Sequence, residues 1–434
     1  MPFFSLAASS PKPLAIALAL VFGSLLSGCN DSGLSQDTPP DAVVVSQTGN
    51  TPEPSPGAIA SKQLLLTESW SAYRARFIQQ DGRVIDWEAD ERTTSEGQAY
   101  AMLRAVLIDD PETFAQTLNW AEENLQRLDA NGKRRDNLWA WKWGKDPAGN
   151  WVILDENFAS DADIDAVTAL ILAARRWNRP DYLRLARIKL RDLWTLSTVA
   201  VFPPAARPSR SQSASEQRYL LPGPKEAFQP QPDLLHLNPS YLAPYAFRLF
   251  AQVDGDRNWL SLVDSSYQVL RESSQLSSVK LPSDWVALNT TTGNYIPLRP
   301  PSPIRSIYGF DAYRVWWRVG MDAQWFNEPA AWEYLQNHLP SLESKWKAQQ
   351  KIPAQIDLQG QPLVPYESTS QYGMLFAAFQ LTNPQVAEQI YQQKILPAYR
   401  DGFWDNNAAY YAQNLAWFGL LASTDDVAVN WLQP

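Results

Sequence analysis

The sequence predicts an all-α protein, and three observations carry that prediction. Apolar residues recur at helical spacing from Leu64 onward, whereas clean period-2 strand patterns are scarce. Hydrophobic residues make up 45% of the 434, ample for a large core and inconsistent with wholesale disorder. About twelve helical segments fit between Leu64 and the C-terminus, which reads as one large domain.

The chain opens on an export signal rather than on that domain. Residues 1–29 hold Lys12, an apolar run from Leu14 to Leu26, and then Leu26-Ser27-Gly28-Cys29. A run of about 13 apolar residues is too short to span a bilayer but suits a signal peptide. The end of the run resembles a bacterial lipobox, and Cys29 is the single cysteine in the chain. Cys29 is therefore expected to carry lipid and become the first mature residue. Asn30 follows where an Asp would resemble an inner-membrane retention signal, so an outer-membrane anchor facing the periplasm is expected. Residues 30–62 have no aromatic residue and five prolines. They read as a disordered tether, and residues 63–434 as the globular domain.

The helices follow in order. Trp70, Tyr73 and Phe77 share a face, and a second segment covers 97–107. Asp110-Pro111 is an N-cap with proline at the first helical position, leading Phe114, Leu118, Ala121 and Leu125. Further segments are predicted at 163–177, then from Asp181 to Trp194 with Leu185, Ile188 and Leu193 inward. The rest fall at 241–252, 258–271, 311–319, 329–337, 370–381, 384–397 and 407–422. Pro203 to Pro232, with seven prolines and a Ser-rich middle, reads as one long loop.

Composition then narrows the chemistry. The net charge is −9, from 37 basic and 46 acidic residues, which argues against nucleic acid as partner. One Cys and two His (His236 and His338, read as bystanders) are too few for a metal centre of the usual kind or for a Ser-His-Asp mechanism. No metal or other cofactor is expected. Acid–base work falls to Asp, Glu and Tyr. The 19 Trp, 17 Tyr and 16 Phe suit stacking on sugar rings, though large helical cores also use them.

Three motifs concentrate carboxylates at helix starts. The first is Thr94-Ser95-Glu96-Gly97-Gln98-Ala99-Tyr100, where Ser95 and Gln98 have capping-box spacing. The second is Ala159-Ser160-Asp161-Ala162-Asp163-Ile164-Asp165, with Asp161 placed to cap. The third is Tyr308-Gly309-Phe310-Asp311-Ala312-Tyr313-Arg314, where Asp311 and Arg314 have the spacing of a helix ion pair. Each alone has a structural explanation.

Together, in this order, they resemble glycoside hydrolase family 8, and within it the endoglucanases of bacterial cellulose synthase operons. The stretches Leu138-Trp139-Ala140-Trp141-Lys142-Trp143-Gly144, Asn238-Pro239-Ser240-Tyr241 and Tyr410-Tyr411-Ala412-Gln413-Asn414-Leu415 are similar too. The resemblance runs from about residue 66 to 422. Ala166 and Val167 stand where the family signature usually has Ile or Met and then Ala.

The resemblance implies an (α/α)6 barrel with an open substrate cleft at one end. It implies inverting hydrolysis of β-1,4 bonds, with Glu96 as general acid and Asp311 as general base. Asp161 would contact the distorted sugar, and it is also read as a nucleophile in such families. A helix N-terminus would lower the Glu96 pKa, so burial or an ionised Asp161 must push it up. Arg314 beside Asp311 would hold that carboxylate ionised. One of Trp139, Trp141 and Trp143 is expected to stack on sugar, and Tyr241 and Tyr372 are candidates for polar contact with substrate. The expected partner is cellulose, with the cellulose secretion machinery beside it. A xylanase or chitosanase of the same family is the alternative, and an inactive glucan-binding lipoprotein a more distant one.

Overall fold

The computed structural model describes residues 56–201, 216–421 and 431–433, with side chains from Lys62 onward. The expected signal peptide and its Cys29 lie outside the described residues. Fourteen helices are described. They are α1 (Pro56–Phe77), α2 (Ser95–Ile108), α3 (Pro111–Asn124), α4 (Ser160–Arg176), α5 (Pro180–Ser197), α6 (Lys225–Phe228) and α7 (Pro244–Val253). There follow α8 (Leu260–Ser274), α9 (Tyr313–Phe326), α10 (Pro329–His338), α11 (Pro340–Gln349), α12 (Thr369–Thr382), α13 (Pro384–Ile390) and α14 (Tyr410–Leu421).

Their packing closes a ring. Helix α2 lies against α4, α4 against α7, α7 against α9, α9 against α12, α12 against α14, and α14 returns to α2. Each of these six has an outer companion: α3, α5, α8, α10, α13 and α1 in turn. The chain thus takes an (α/α)6 barrel of six inner and six outer helices. Sequence decides the layer. Inner helices such as α2 (SEGQAYAMLRAVLI) and α14 (YYAQNLAWFGLL) are buried on nearly every side, whereas α3 and α5 carry one apolar stripe. Helices α12 and α14 meet backbone to backbone, because a Cβ on Gly419 would fall 2.0 Å from the Gly373 carbonyl oxygen. Much of the tryptophan is core: Trp259, Trp316, Trp317, Trp346, Trp404 and Trp417 are fully buried.

The structure amends several expectations. Helix α1 begins at Pro56, inside the segment read as tether, and Lys62 is buried against Glu388 at 3.2 Å with Phe376 and Tyr391 beneath its ammonium. In α5, Ile188 points outward, and Tyr182, Ala186, Leu190 and Leu193 face the barrel. Helix α11 was not predicted, since only Leu342 and Trp346 mark its buried side. Within 203–232, residues 202–215 lie outside the described residues. The remainder is more ordered than a loop: Gln217–Leu220 pairs with Thr198–Val201, and α6 follows. Short strands of two to six residues fill the connections between helices, too brief to leave a period-2 signal.

Candidate active site

Three inner helices present their N-terminal ends to one place. Glu96 lies in the first turn of α2, Asp161 in the first turn of α4, and Asp311 in the turn immediately before α9. Helix N-termini favour negative charge, which makes these natural seats for carboxylates. The caps themselves differ from the sequence reading. Thr94 caps α2 by accepting the Gly97 amide at 3.0 Å, which frees Ser95 and Gln98 from that task. Gln98 instead accepts the Val84 amide and donates to the Thr117 carbonyl. Asp161 accepts the amide of its neighbour Ala162 at 2.9 Å, and no side chain caps α4.

One guanidinium joins the three carboxylates. Arg314 Nη1 lies 2.7 Å from Glu96 Oε2 and 2.7 Å from Asp161 Oδ2, while Nη2 lies 2.9 Å from Asp311 Oδ1. The fixed fork of Arg allows one side chain to serve all three. Arg314 is therefore more than an ion-pair partner within its own helix. Asp161 is almost fully enclosed, with 3% of its side chain exposed, while Glu96 and Asp311 keep 19% and 28%. Glu96 and Asp311 thus reach solvent, whereas Asp161 is nearly closed off from it.

Electrostatics separate the groups further. Burial pushes the Glu96 carboxyl up to about 7; Arg314 and a hydrogen bond from the Tyr410 hydroxyl at 2.9 Å oppose this, and the Asp161 and Asp311 charges reinforce it. Asp311 is also raised, chiefly by burial, against the pull of Arg314 and of Asn238 Nδ2 at 3.1 Å. The expectation that Arg314 holds Asp311 low is thus only half met: Arg314 lowers it, and burial outweighs that. Tyr241 lays its ring 5.3 Å from the Arg314 guanidinium, and burial keeps its hydroxyl protonated far beyond neutrality.

The three tryptophans of the 138–144 stretch part company. Trp139 is fully buried, donating from Nε1 to Glu122 Oε1 at 2.9 Å under the Lys189 ammonium, so it cannot meet a sugar. Trp143 stacks on Trp151 with centroids 4.7 Å apart. Trp141 is half-buried, and its carbonyl accepts the Ser95 amide at 3.0 Å, which ties it beside the residue preceding Glu96. Tyr372 is not brought to the carboxylates: it is buried in α12, where its hydroxyl accepts the Ile352 amide at 3.0 Å and bonds Glu367. His338 stacks on Tyr334 and bonds the Lys280 carbonyl, and His236 pairs in a small sheet. Sequence reasoning missed Tyr410, Asn238 and Asp284 as members of the site. The first two stand in stretches already singled out, but nothing in their spacing marks them as contacts of Glu96 and Asp311.

The model of glycosyl hydrolases family 8 matches residues 55–425. The chain belongs to this family. Among curated relatives, an endoglucanase of Xanthomonas axonopodis pv. citri (strain 306) is 33% identical over 255 residues, 58% of this chain and 59% of its own length. An endoglucanase of Salmonella typhi is 33% identical over 265 residues, 61% of this chain and 64% of its own length. The match thus spans less than two thirds of these family 8 relatives. Among solved structures, the endo-1,4-D-glucanase from Vibrio fischeri ES114 is 26% identical with a TM-score of 0.67, covering 81% of this chain and 93% of that one.

Proposed function

We propose that this family 8 chain is an inverting endo-β-1,4-glucanase that acts on cellulose, with Glu96 as general acid and Asp311 as general base. The observation that carries the reading is the single guanidinium of Arg314 held between Glu96, Asp161 and Asp311. The named activity of the relatives, endoglucanase, supports the substrate class.

The chemistry follows from the environments. A carboxyl raised to about 7 is protonated at mildly acidic pH and can give its proton to the departing glycosidic oxygen. Asp311 takes a proton from water as that water attacks the anomeric carbon from the opposite face. The C1–O bond breaks, a C1–OH bond forms with inverted configuration, and both carboxyls return to their starting states through solvent. Inversion calls for two carboxyls roughly 6.5–9.5 Å apart, which leaves room for a water. Asp161, held by the same Arg314 nitrogen as Glu96, is the negative group beside the developing oxocarbenium charge, and Tyr241 offers a protonated hydroxyl.

The rest of the chain fits an exported enzyme. We read 1–29 as a signal peptide with lipidation at Cys29, followed by a tether to the catalytic domain at the outer membrane, facing the periplasm. A role beside the cellulose secretion machinery follows, and neighbouring genes should then encode a cellulose synthase. The deciding experiment uses the purified full-length chain on carboxymethylcellulose, with reducing ends counted and their anomeric form followed by NMR. Release of α-anomer ends by the parent and near-complete loss in Glu96→Gln is expected. Binding without cleavage by the parent would overturn the enzyme reading in favour of a glucan-binding lipoprotein, and β-anomer ends would overturn inversion.

A further inference from the structure

The turn that carries Asp311 is folded around a fourth carboxyl group. Asp284 belongs to the stretch Ser283-Asp284-Trp285, in the connection between α8 and α9. Its backbone amide donates to the Ile307 carbonyl at 2.7 Å, which fixes the stretch alongside the residues that precede the turn. Its Oδ1 accepts the Ala312 amide at 2.8 Å. Gly309 packs directly against the same carboxyl, where a Cβ would fall 2.6 Å from Oδ2. Helix α9 has no side-chain cap of its own. Asp284 supplies one from a distant segment, satisfying an amide group that a helix start otherwise leaves without a partner.

We infer that Asp284 is the positioning residue for Asp311, its two carboxyl oxygens holding the backbone from Gly309 to Ala312 so that the base points at its water. The inference rests on the reading of Asp311 as base. Asp284 touches neither substrate nor the reacting atoms; it acts through the turn. Its environment explains how a fourth carboxyl is tolerated beside three that share one Arg. Burial, and then the charge on Asp311, raises Asp284 well above the usual carboxylate range, while the backbone amide it accepts and the Arg314 charge pull it down. A displacement of the base by as little as about 1 Å can cost on the order of a hundredfold in rate, so a turn released from Asp284 should lose activity without losing substrate.

The test compares Asp284→Ala, Asp284→Asn, Gly309→Ala and Asp311→Asn in the full-length chain on carboxymethylcellulose. Asp284→Ala removes both acceptors, and kcat should fall about 30- to 100-fold with KM within twofold. Asp284→Asn keeps an acceptor oxygen without a charge, so kcat should stay within about threefold and the acidic limb of the pH profile should not move. Gly309→Ala drives a methyl into the Asp284 carboxyl and should reproduce the alanine phenotype with both carboxyls intact. Asp284→Ala or Gly309→Ala with parental kcat overturns the inference. So does an Asp284→Asn variant as impaired as the alanine, since the acid itself would then be required. Should Asp284→Ala not fold, judged by circular dichroism, the asparagine and Gly309 variants decide. Asp311→Asn separates the two claims: if it remains active, the base assignment fails; if it is inactive while the others are normal, only the positioning role fails.

Discussion

Arg314 and Glu96, 218 positions apart in sequence, hold each other at 2.7 Å. The contact joins the first residue pair of one inner helix to the start of another, and the remaining Glu96 oxygen takes the Tyr410 hydroxyl at 2.9 Å. Glu96 is therefore fixed from both sides while its carboxyl stays protonated to about pH 7. Those two requirements conflict, because both partners favour the ionised form. Burial beside Asp161 and Asp311 resolves the conflict.

Activity should fall as pH rises through about 7, because the acid is lost above that point. Tyr410→Phe removes a hydrogen bond that favours the carboxylate, so the alkaline limb should move to higher pH. Initial rates on carboxymethylcellulose from pH 4 to 9 check both. A limb that stays in place in Tyr410→Phe would refute the link.

Stability should follow the same group in the same direction. Glu96 has a folded pKa of about 7 above an unfolded one near 4.5. Its contribution is present below about 4.5 and lost as pH climbs through 7. Glu96→Gln removes the titration, so the variant should lose less Tm than the parent between pH 5 and pH 8.5. Calorimetry at the two pH values measures the difference.

Replacing Arg314 by Met leaves three carboxylates facing one another without a cation. A loss of about 3–5 kcal/mol of stability is expected on chemical denaturation, as for breaking other buried ion pairs. Arg314→Lys keeps the charge but not the fork, so it should fold better than the Met variant and still lose at least about a hundredfold in kcat.

The tryptophans divide cleanly. Trp141→Ala should raise KM on carboxymethylcellulose with little change in Tm, since the residue is only half-buried and its backbone carbonyl is tied to the start of α2. Trp139→Ala should instead cost about 3–5 kcal/mol of stability, as expected for emptying a core site. Urea unfolding and steady-state kinetics on the same preparations separate the two.

How far the sequence could be read depended on whether the signal was local. Asp110-Pro111 announced its helix correctly because cap, proline and apolar face lie within a few residues. Helix α11 escaped because its buried side amounts to two residues. The same contrast holds at the site. Glu96, Asp161 and Asp311 stood out as motifs, whereas Asp284 shows its relation to Asp311 only when the α8–α9 connection folds back. Trp139 and Trp141 look equivalent on paper, and only the path of the strand and the position of Glu122 assign one to the core. Arg314 read as a neighbour of Asp311 alone, because helical spacing reports contacts within a helix and not between three of them.

Tyr410 belongs to the last inner helix and Glu96 to the first, so the ring must shut before Glu96 acquires its full set of partners. Synthesis runs from the N-terminus, and α14 emerges after every other helix described. Until it docks, Glu96 lacks the Tyr410 hydroxyl, and Arg104 of α2 lacks the Asn414 side chain 3.2 Å away. A nascent or partly assembled chain therefore holds Glu96 and Arg104 without all their partners, and the cluster is complete only when the final piece of the barrel docks.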